Sequence, residues 1–263
     1  MAIFDSAATG HGEAPPDRLR DLLRPDLEMS MLPVERLVIH ALASALRPRL
    51  AIEVGTERGD TARLIARYAA RLICVDIDPA VRERLADCAN IEVVTGDSAR
   101  ELPRLLAELA GAGRSVDFCF VDGDHSYEGV RADLSALLAS PAAARTVILV
   151  HDSAMAGSRR ALRDAVAEAR VPIAACDADF SQGVATDIEC LSATRAGGLA
   201  LIVTGADPAL ARLLRVEPGA VTLPELCERI APTRAGLLLR GWRQAVPKRL
   251  RDRLYRWRRG ARR

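Results

Sequence analysis

Between Phe118 and Gly129 the chain reads FCFVDGDHSYEG. Apolar residues suited to a buried strand, Phe118 to Val121 with Cys119 among them, run straight into Asp122, Asp124 and His125. A strand that stops at two carboxylates and an imidazole is what the carboxyl edge of an α/β sheet looks like, and ligands bind at that edge. The same edge recurs upstream in IEVGTERGD (52–60) and downstream in VILVHDS (147–153). Three strand ends thus carry acidic or histidine chemistry.

The first of these ends suits a nucleoside-like ligand. Glu53 lies in the strand, and Gly55 and Gly59 lie in the turn that opens the next helix, where glycine permits close backbone approach and a helix N-terminus offers free N–H groups. Asp76 closes the second strand and is placed to accept from ribose hydroxyls. The segment GDS (96–98) follows the third strand and could face an adenine edge. The glycines do not form the GxGxxG fingerprint of dinucleotide folds, because Thr56 stands where a second early glycine belongs. An acid just before the first glycine is poor company for a pyrophosphate and good company for a cation. S-adenosylmethionine, with its ribose, adenine, ammonium and sulfonium and no phosphate, fits Glu53 and Asp76 better.

The elements that must position these residues alternate regularly. Strands are expected at Leu50–Val54, Leu72–Asp76, Ile91–Thr95, Val116–Val121 and Thr146–Val150. Helices are expected at Asp60–Ala70, Pro79–Ala89, Ala99–Ala110, Glu128–Ala139 and Ser158–Arg170. Such alternation predicts repeated βα units and a mostly parallel sheet. Ile188–Ala193 and Leu199–Thr204 bracket Arg195-Ala196-Gly197-Gly198 and read as an antiparallel hairpin closing the sheet. A helix starts at Pro33, with Val34, Leu37, Val38, Ala41, Leu42 and Ala45 at helical spacing, and Arg47-Pro48 ends it. The organisation expected is a loosely ordered segment 1–28, a catalytic domain 29–207 with a cap helix 33–47, and a helical, basic extension 208–263. Six cysteines are scattered without a CxxC pair and read as reduced residues of a cytoplasmic protein rather than as disulfides or a zinc site. No cationic start followed by an apolar run marks a signal peptide, and no apolar stretch is long enough to span a membrane.

The ordered set IEVGTERGD, CVDID, TGDS, FVDGDHSY and VHDS resembles the class I S-adenosylmethionine-dependent methyltransferases, most of all the branch of macrocin- and mycinamicin-type sugar O-methyltransferases (methyltransferase domain family 24). The resemblance covers roughly residues 28–205, and EMSML (28–32) with the helix from Pro33 is similar to the cap of that branch. It implies a Rossmann-like, doubly wound, seven-stranded sheet whose last strand is antiparallel. It implies S-adenosyl-L-methionine as cofactor, contacted by Glu53, Gly55, Thr56, Gly59, Asp76, Asp97 and Ser98, and a small-molecule hydroxyl acceptor such as a sugar or glycosylated natural product. His125, three residues past Asp122, is the base candidate, since imidazole titrates near neutral pH and the branch's D-x-x-H pattern places its histidine there. Metal-dependent relatives hold a divalent ion, Mg2+ or Mn2+, and the matching positions are Asp122, Asp152 and His151. His151 departs from the acid that relatives carry, and Asp124 is an alternative carboxylate. An imidazole shifts preference from Mg2+ toward Mn2+, Fe2+ or Zn2+. Capping roles compete: Asp78 for the helix at Pro79, His125 for the helix near Tyr127, and Asp152 for the helix after Ser153.

Residues 232–263 carry 12 Arg and Lys against Asp252 alone, a charge of +11 on a chain whose net charge is +2. Leu250, Leu254 and Trp257 form a narrow apolar stripe among those arginines, the pattern of a helix on an anionic membrane surface or a partner protein. Nucleic acid would fit the charge equally. The absence of paired catalytic lysines and of an acid or Asn before Pro-Pro argues against nucleic-acid methylation. Homo-oligomerisation and a peripheral membrane position are further expectations, and a catalytically silent scaffold with a working tail is the alternative from another class.

Overall fold

The computed structural model describes residues 31–181, 184–185 and 195–205. The segment 1–28, the strand expected at 188–193, the extension 208–263, and His11, Cys190 and Cys227 lie outside the described residues. A cap helix, α1 (Pro33–Leu46), precedes the sheet, with Pro33 in its first turn. Then follow β1 (Ala51–Val54), α2 (Asp60–Ala66), β2 (Leu72–Asp76), α3 (Val81–Arg84), β3 (Ile91–Thr95), α4 (Ser98–Gly111), β4 (Phe118–Val121), α5 (Tyr127–Ala139), β5 (Val147–His151), α6 (Ala156–Ala167) and β6 (Ile173–Ser181). Two short strands, β7 (Val184–Ala185) and β8 (Arg195–Ala196), pair with each other, and β9 (Leu199–Thr204) completes the main sheet.

The strand order is β3-β2-β1-β4-β5-β9-β6. β1 to β5 pair in parallel, and β9 runs antiparallel to both β5 and β6. The chain winds outward from β1 to β3, then returns to β4, so a crevice opens between the tips of β1 and β4. Register aligns that edge: Val54 sits opposite Val75 on one side and Val121 on the other, and Val121 sits opposite Val150. Gly55, Asp76, Asp122 and His151 therefore emerge within a residue of one another along a single edge.

Period-2 alternation builds two cores. Ile52, Val54, Cys119, Val121, Ile148 and Val150 face α4, α5 and α6. Ala51, Cys74, Phe118, Phe120, Leu149 and Leu201 face α1, α2 and α3. Cys74 and Cys119 lie on opposite faces of the sheet, each a free thiol. No helix among the described residues is long and apolar enough to cross a membrane.

Three expectations are corrected. Both edges of β9 are taken by β5 and β6, so Leu199–Thr204 is not one arm of a hairpin across Arg195–Gly198. Gly197 and Gly198 instead have φ of 73° and 84° and lead into the strand. The outer partner of β9 is β6, a strand the sequence pattern does not announce. It is half-buried along nearly all its length and carries Asp177 and Asp179, so it lacks the apolar run that marks the other strands. The helix expected over Pro79–Ala89 shrinks to Val81–Arg84.

Candidate active site

At the tip of β1, Gly55 turns the chain with φ of 79°, a conformation that L side chains rarely adopt. A Cβ there would lie 2.3 Å from the Asp122 carbonyl oxygen. The bare α-carbon is what lets the β1 and β4 tips touch. Glu53, two residues earlier, is fully buried. Its Oε2 accepts from the Thr56 hydroxyl at 2.9 Å and from the Cys74 thiol at 3.5 Å, and its Oε1 has no hydrogen-bond partner among the described residues. Burial pushes its carboxyl up to about 8, with Thr56 opposing the rise and Asp122 and Asp76 adding to it.

Asp76 braces the same loop. Its Oδ2 accepts from the N–H of Thr56 at 2.7 Å and of Glu57 at 2.9 Å, and its Oδ1 accepts from Asp78 N–H at 2.8 Å. Carboxylate oxygens have lone pairs to spare, so a ribose contact remains open to it. Asp78 closes the turn before the helix, accepting from Ala80 N–H at 2.9 Å, while the helix itself begins only at Val81. Asp97 caps α4 through Ala99 N–H at 3.0 Å, and Ser98 begins that helix.

The second group gathers at the β4 and β5 tips. His125 Nε2 lies 3.2 Å from Asp122 Oδ1, and His125 Nδ1 lies 2.5 Å from Asp152 Oδ2. His151 Nδ1 lies 2.6 Å from the same Asp122 Oδ1, and His151 Nε2 lies 3.2 Å from Glu35 Oε2. Asp152 Oδ1 accepts from Gly197 N–H, and Glu35 Oε1 accepts from Gly198 N–H at 2.6 Å. The order Glu35–His151–Asp122–His125–Asp152 thus closes on itself through two successive backbone donors. Asp152 takes φ of 51° to enter this circuit, a left-handed conformation that aspartate tolerates better than most residues.

Each imidazole nitrogen faces a carboxyl oxygen, an arrangement that favours the charged form of both rings. The Asp122 and Asp152 contacts raise His125 to about 10 against the opposing effect of burial. Burial alone would lower His151, but Asp122 and Glu35 outweigh it and raise that ring to about 10 as well. Burial would raise Asp122 and Asp152, and the imidazole contacts reverse this and hold both below the usual carboxylate range.

These geometries settle the competing capping roles. Ser126, not His125, caps α5, accepting from Gly129 N–H at 3.0 Å. Asp124 is turned away from the group, accepting from Ser126 N–H at 2.9 Å and from its hydroxyl at 2.7 Å, so it is no alternative ligand beside Asp122. Asp152 directs its side chain to His125 and Gly197, and only its carbonyl accepts from Met155 N–H.

Both groups open into one cavity of about 810 Å³. Gly55, Thr56, Gly59, Asp76, Asp97, Ser98, Asp122, His125, His151 and Asp152 all line it, and Glu53 lies behind the first loop. The cap supplies the opposite wall through Met31, Leu32 and Glu35. Glu35 escapes sequence reasoning: an acid at the third position of a helix reads as a capping residue, and it does accept from Leu32 N–H at 2.8 Å.

The donor set fits a divalent ion. Asp122, His125 and His151 each bring a ligand atom to within 4.8 Å of the others. The set differs from the expected Asp122, Asp152 and His151, since Asp152 reaches the group through His125. One carboxylate with two imidazoles suits Mn2+, Fe2+ or Zn2+ better than Mg2+.

Residues 52–153 match the family model of a methyltransferase domain. The match runs from β1 to just past β5 and contains both groups except for Glu35 and the glycine pair. Match and sheet agree in extent: the stretch similar to a methyltransferase domain is the parallel part of the sheet, from β1 to the end of β5. Among solved structures it is similar to an O-methyltransferase from Bacillus cereus in complex with SAH, at 18% identity over 71% of this chain and 90% of that one, TM-score 0.47. It is similar to the O-methyltransferase TomG from Streptomyces achromogenes, involved in tomaymycin synthesis and in complex with SAM, at 20% identity over 73% and 92%, TM-score 0.47. A third is an apo TDP-rhamnose 3′-O-methyltransferase of calicheamicin biosynthesis, at 16% identity over 72% and 85%, TM-score 0.46. No curated protein matches the chain.

Proposed function

We propose that the protein is an S-adenosylmethionine-dependent O-methyltransferase acting on a hydroxyl of a small molecule, with a sugar or glycosylated metabolite as the acceptor class. The observation that carries the reading is the meeting, in one cavity, of an acid-rich first loop and an acid–imidazole group that faces it across the β1–β4 crevice. The cofactor supplies an electrophilic methyl group on a sulfonium. Asp76 and, when ionised, Glu53 favour a cation near the first loop, and Glu53 Oε1 has no hydrogen-bond partner among the described residues. Asp97 and Ser98 stand where an adenine edge would lie.

His125 is the base, and Nε2 is its working atom. Nδ1 is held tightly by Asp152, itself anchored on Gly197 N–H, whereas the Nε2 contact with Asp122 is the longer one at 3.2 Å. An acceptor hydroxyl that takes over the Asp122 contact removes one of the two carboxylate contacts that raise the ring's basicity. Nε2 then releases its proton to solvent and can receive the hydroxyl proton as the O–CH3 bond forms. With the cofactor bound, transfer of the methyl group would leave the C–S electron pair on sulfur, so the only proton this chain has to handle is the one on the acceptor hydroxyl. Alignment across the fixed crevice supplies much of the remaining rate.

A second reading is favoured by the three converging ligand atoms: Asp122, His125 and His151 hold a divalent ion, which would acidify the acceptor hydroxyl as a Lewis acid. Calorimetric titration with S-adenosylmethionine and S-adenosylhomocysteine tests the class, and absence of heat with both would sink it. Methyl transfer to a panel of sugar nucleotides, glycosides and catechols tests the acceptor. Full activity after exhaustive chelation removes the metal reading, while activity restored only by added Mn2+ removes the metal-free one.

A further inference from the structure

We propose that Glu35 of the cap helix is a positioning residue for the acid–imidazole group, acting through His151. Its side chain is wholly buried although it belongs to the first turn of α1, a place where glutamate ordinarily faces solvent. Capping needs one oxygen, and Oε2 supplies it to Leu32 N–H at 2.8 Å. The same oxygen also lies 3.2 Å from His151 Nε2, and Oε1 accepts from Gly198 N–H at 2.6 Å. These two contacts span 116 and 163 residues of sequence and do nothing for the helix end.

The arrangement mirrors the other side of the group. His125 is held at its outer nitrogen by Asp152, which accepts from Gly197 N–H. His151 is held at its outer nitrogen by Glu35, which accepts from the next N–H. Each ring thereby presents its inner nitrogen to one oxygen of Asp122. A carboxylate on the outer nitrogen fixes both the tautomer and the tilt of an imidazole. Glu35 is the one acid of the circuit that lies outside the strand-end loops. The orientation of His151, and through Asp122 that of His125, therefore depends on the cap helix being seated. The inference rests on the methyltransferase reading for what the group does, but its test reads the rings themselves.

The test is long-range 1H–15N spectroscopy of the full chain labelled with 15N-histidine, its four histidines assigned by single replacements. In Glu35→Gln we expect loss of the protected His151 Nε2–H signal and displacement of the His125 ring signals. The His40 signals, from a ring that faces Tyr68, stay in place. His151→Gln leaves the capping contact of Glu35 intact and is the second variant, in which the His125 signals are again displaced. Unmoved His151 and His125 signals in folded Glu35→Gln protein overturn the proposal, as does an unmoved His125 in folded His151→Gln. S-adenosylhomocysteine titrated into the wild type separates this from the reading beneath it: absence of binding defeats the methyltransferase assignment and leaves the ring signals to decide the role of Glu35.

Discussion

The two halves of the cavity treat charge in opposite ways. At the β1 and β2 tips, Glu53 and Asp76 are held by backbone N–H groups, a hydroxyl and a thiol, with no cationic side chain among those hydrogen-bond donors and with Glu53 Oε1 unmatched. At the β4 and β5 tips, every imidazole nitrogen already faces an acid. The first half keeps a carboxyl near the balance between its neutral and charged forms, which a cationic ligand would tip toward the charged one, whereas the second already matches each ring with acids. On the proposed reading, that asymmetry suits a cationic methyl donor on one side and a carboxylate-held imidazole on the other.

The most damaging way to break the comparison is to join the halves wrongly. Gly55→Val would drive a branched side chain into the Asp122–Gly123 backbone from a positive-φ position. It should cost about 3–5 kcal/mol of stability, read by urea unfolding, because overpacking and left-handed strain add. Asp122→Asn should separate the halves functionally. Methyl transfer to an acceptor found by the panel falls by roughly 10²–10⁴-fold, the range of a lost acid–base system, while S-adenosylhomocysteine still binds in calorimetry.

Stability against pH sharpens the comparison further, because the halves titrate in different windows. Glu53 rises from an ordinary value near 4.5 to about 8 in the folded protein, so its protonated form favours folding and that contribution is lost as pH climbs between those values. His125 and His151 rise from 6.5 to about 10, so their stabilisation is complete below pH 6.5 and is lost between 6.5 and 10. Thermal melts across pH should therefore flatten in the lower window for Glu53→Gln and in the upper window for His125→Gln. Identical slopes in both variants and the wild type would contradict the assignment. The smallest effect is expected outside both halves: Arg104→Ala removes exposed contacts to Glu101 and Glu108 and should change stability by less than about 1 kcal/mol.

The parts of this architecture that could be read from sequence are those fixed by local pattern. β2 has the boundaries expected of it because an apolar run ends at Asp76, and β3 does so because the β-branched Ile91, Val93, Val94 and Thr95 lie between Asn90 and Gly96. Asp122, His125, His151 and Asp152 were legible because each lies at the end of a buried strand or within four residues of it. Their pairing was not, because Asp152 and His151 are neighbours in sequence yet serve different rings. Glu35 was hidden by distance along the chain and by a respectable local role at a helix start. β6 was hidden by its edge position, where partial exposure permits acids at Asp177 and Asp179 and blurs the strand signal. Gly197 and Gly198 announced a turn, and only the folded chain reveals that their N–H groups are what the turn is for.

The contact between Gly55 and the Asp122 carbonyl has a consequence for how such an enzyme could diversify. It makes the separation of donor and acceptor sites a main-chain dimension, a fixed ruler that side-chain replacement cannot lengthen. On the proposed reading, a change of acceptor would fall on side chains such as Met31 and Leu32, which line the same cavity outside the strand tips. Substrate range and catalytic distance are thereby inherited separately, one free to drift and the other set by a missing side chain.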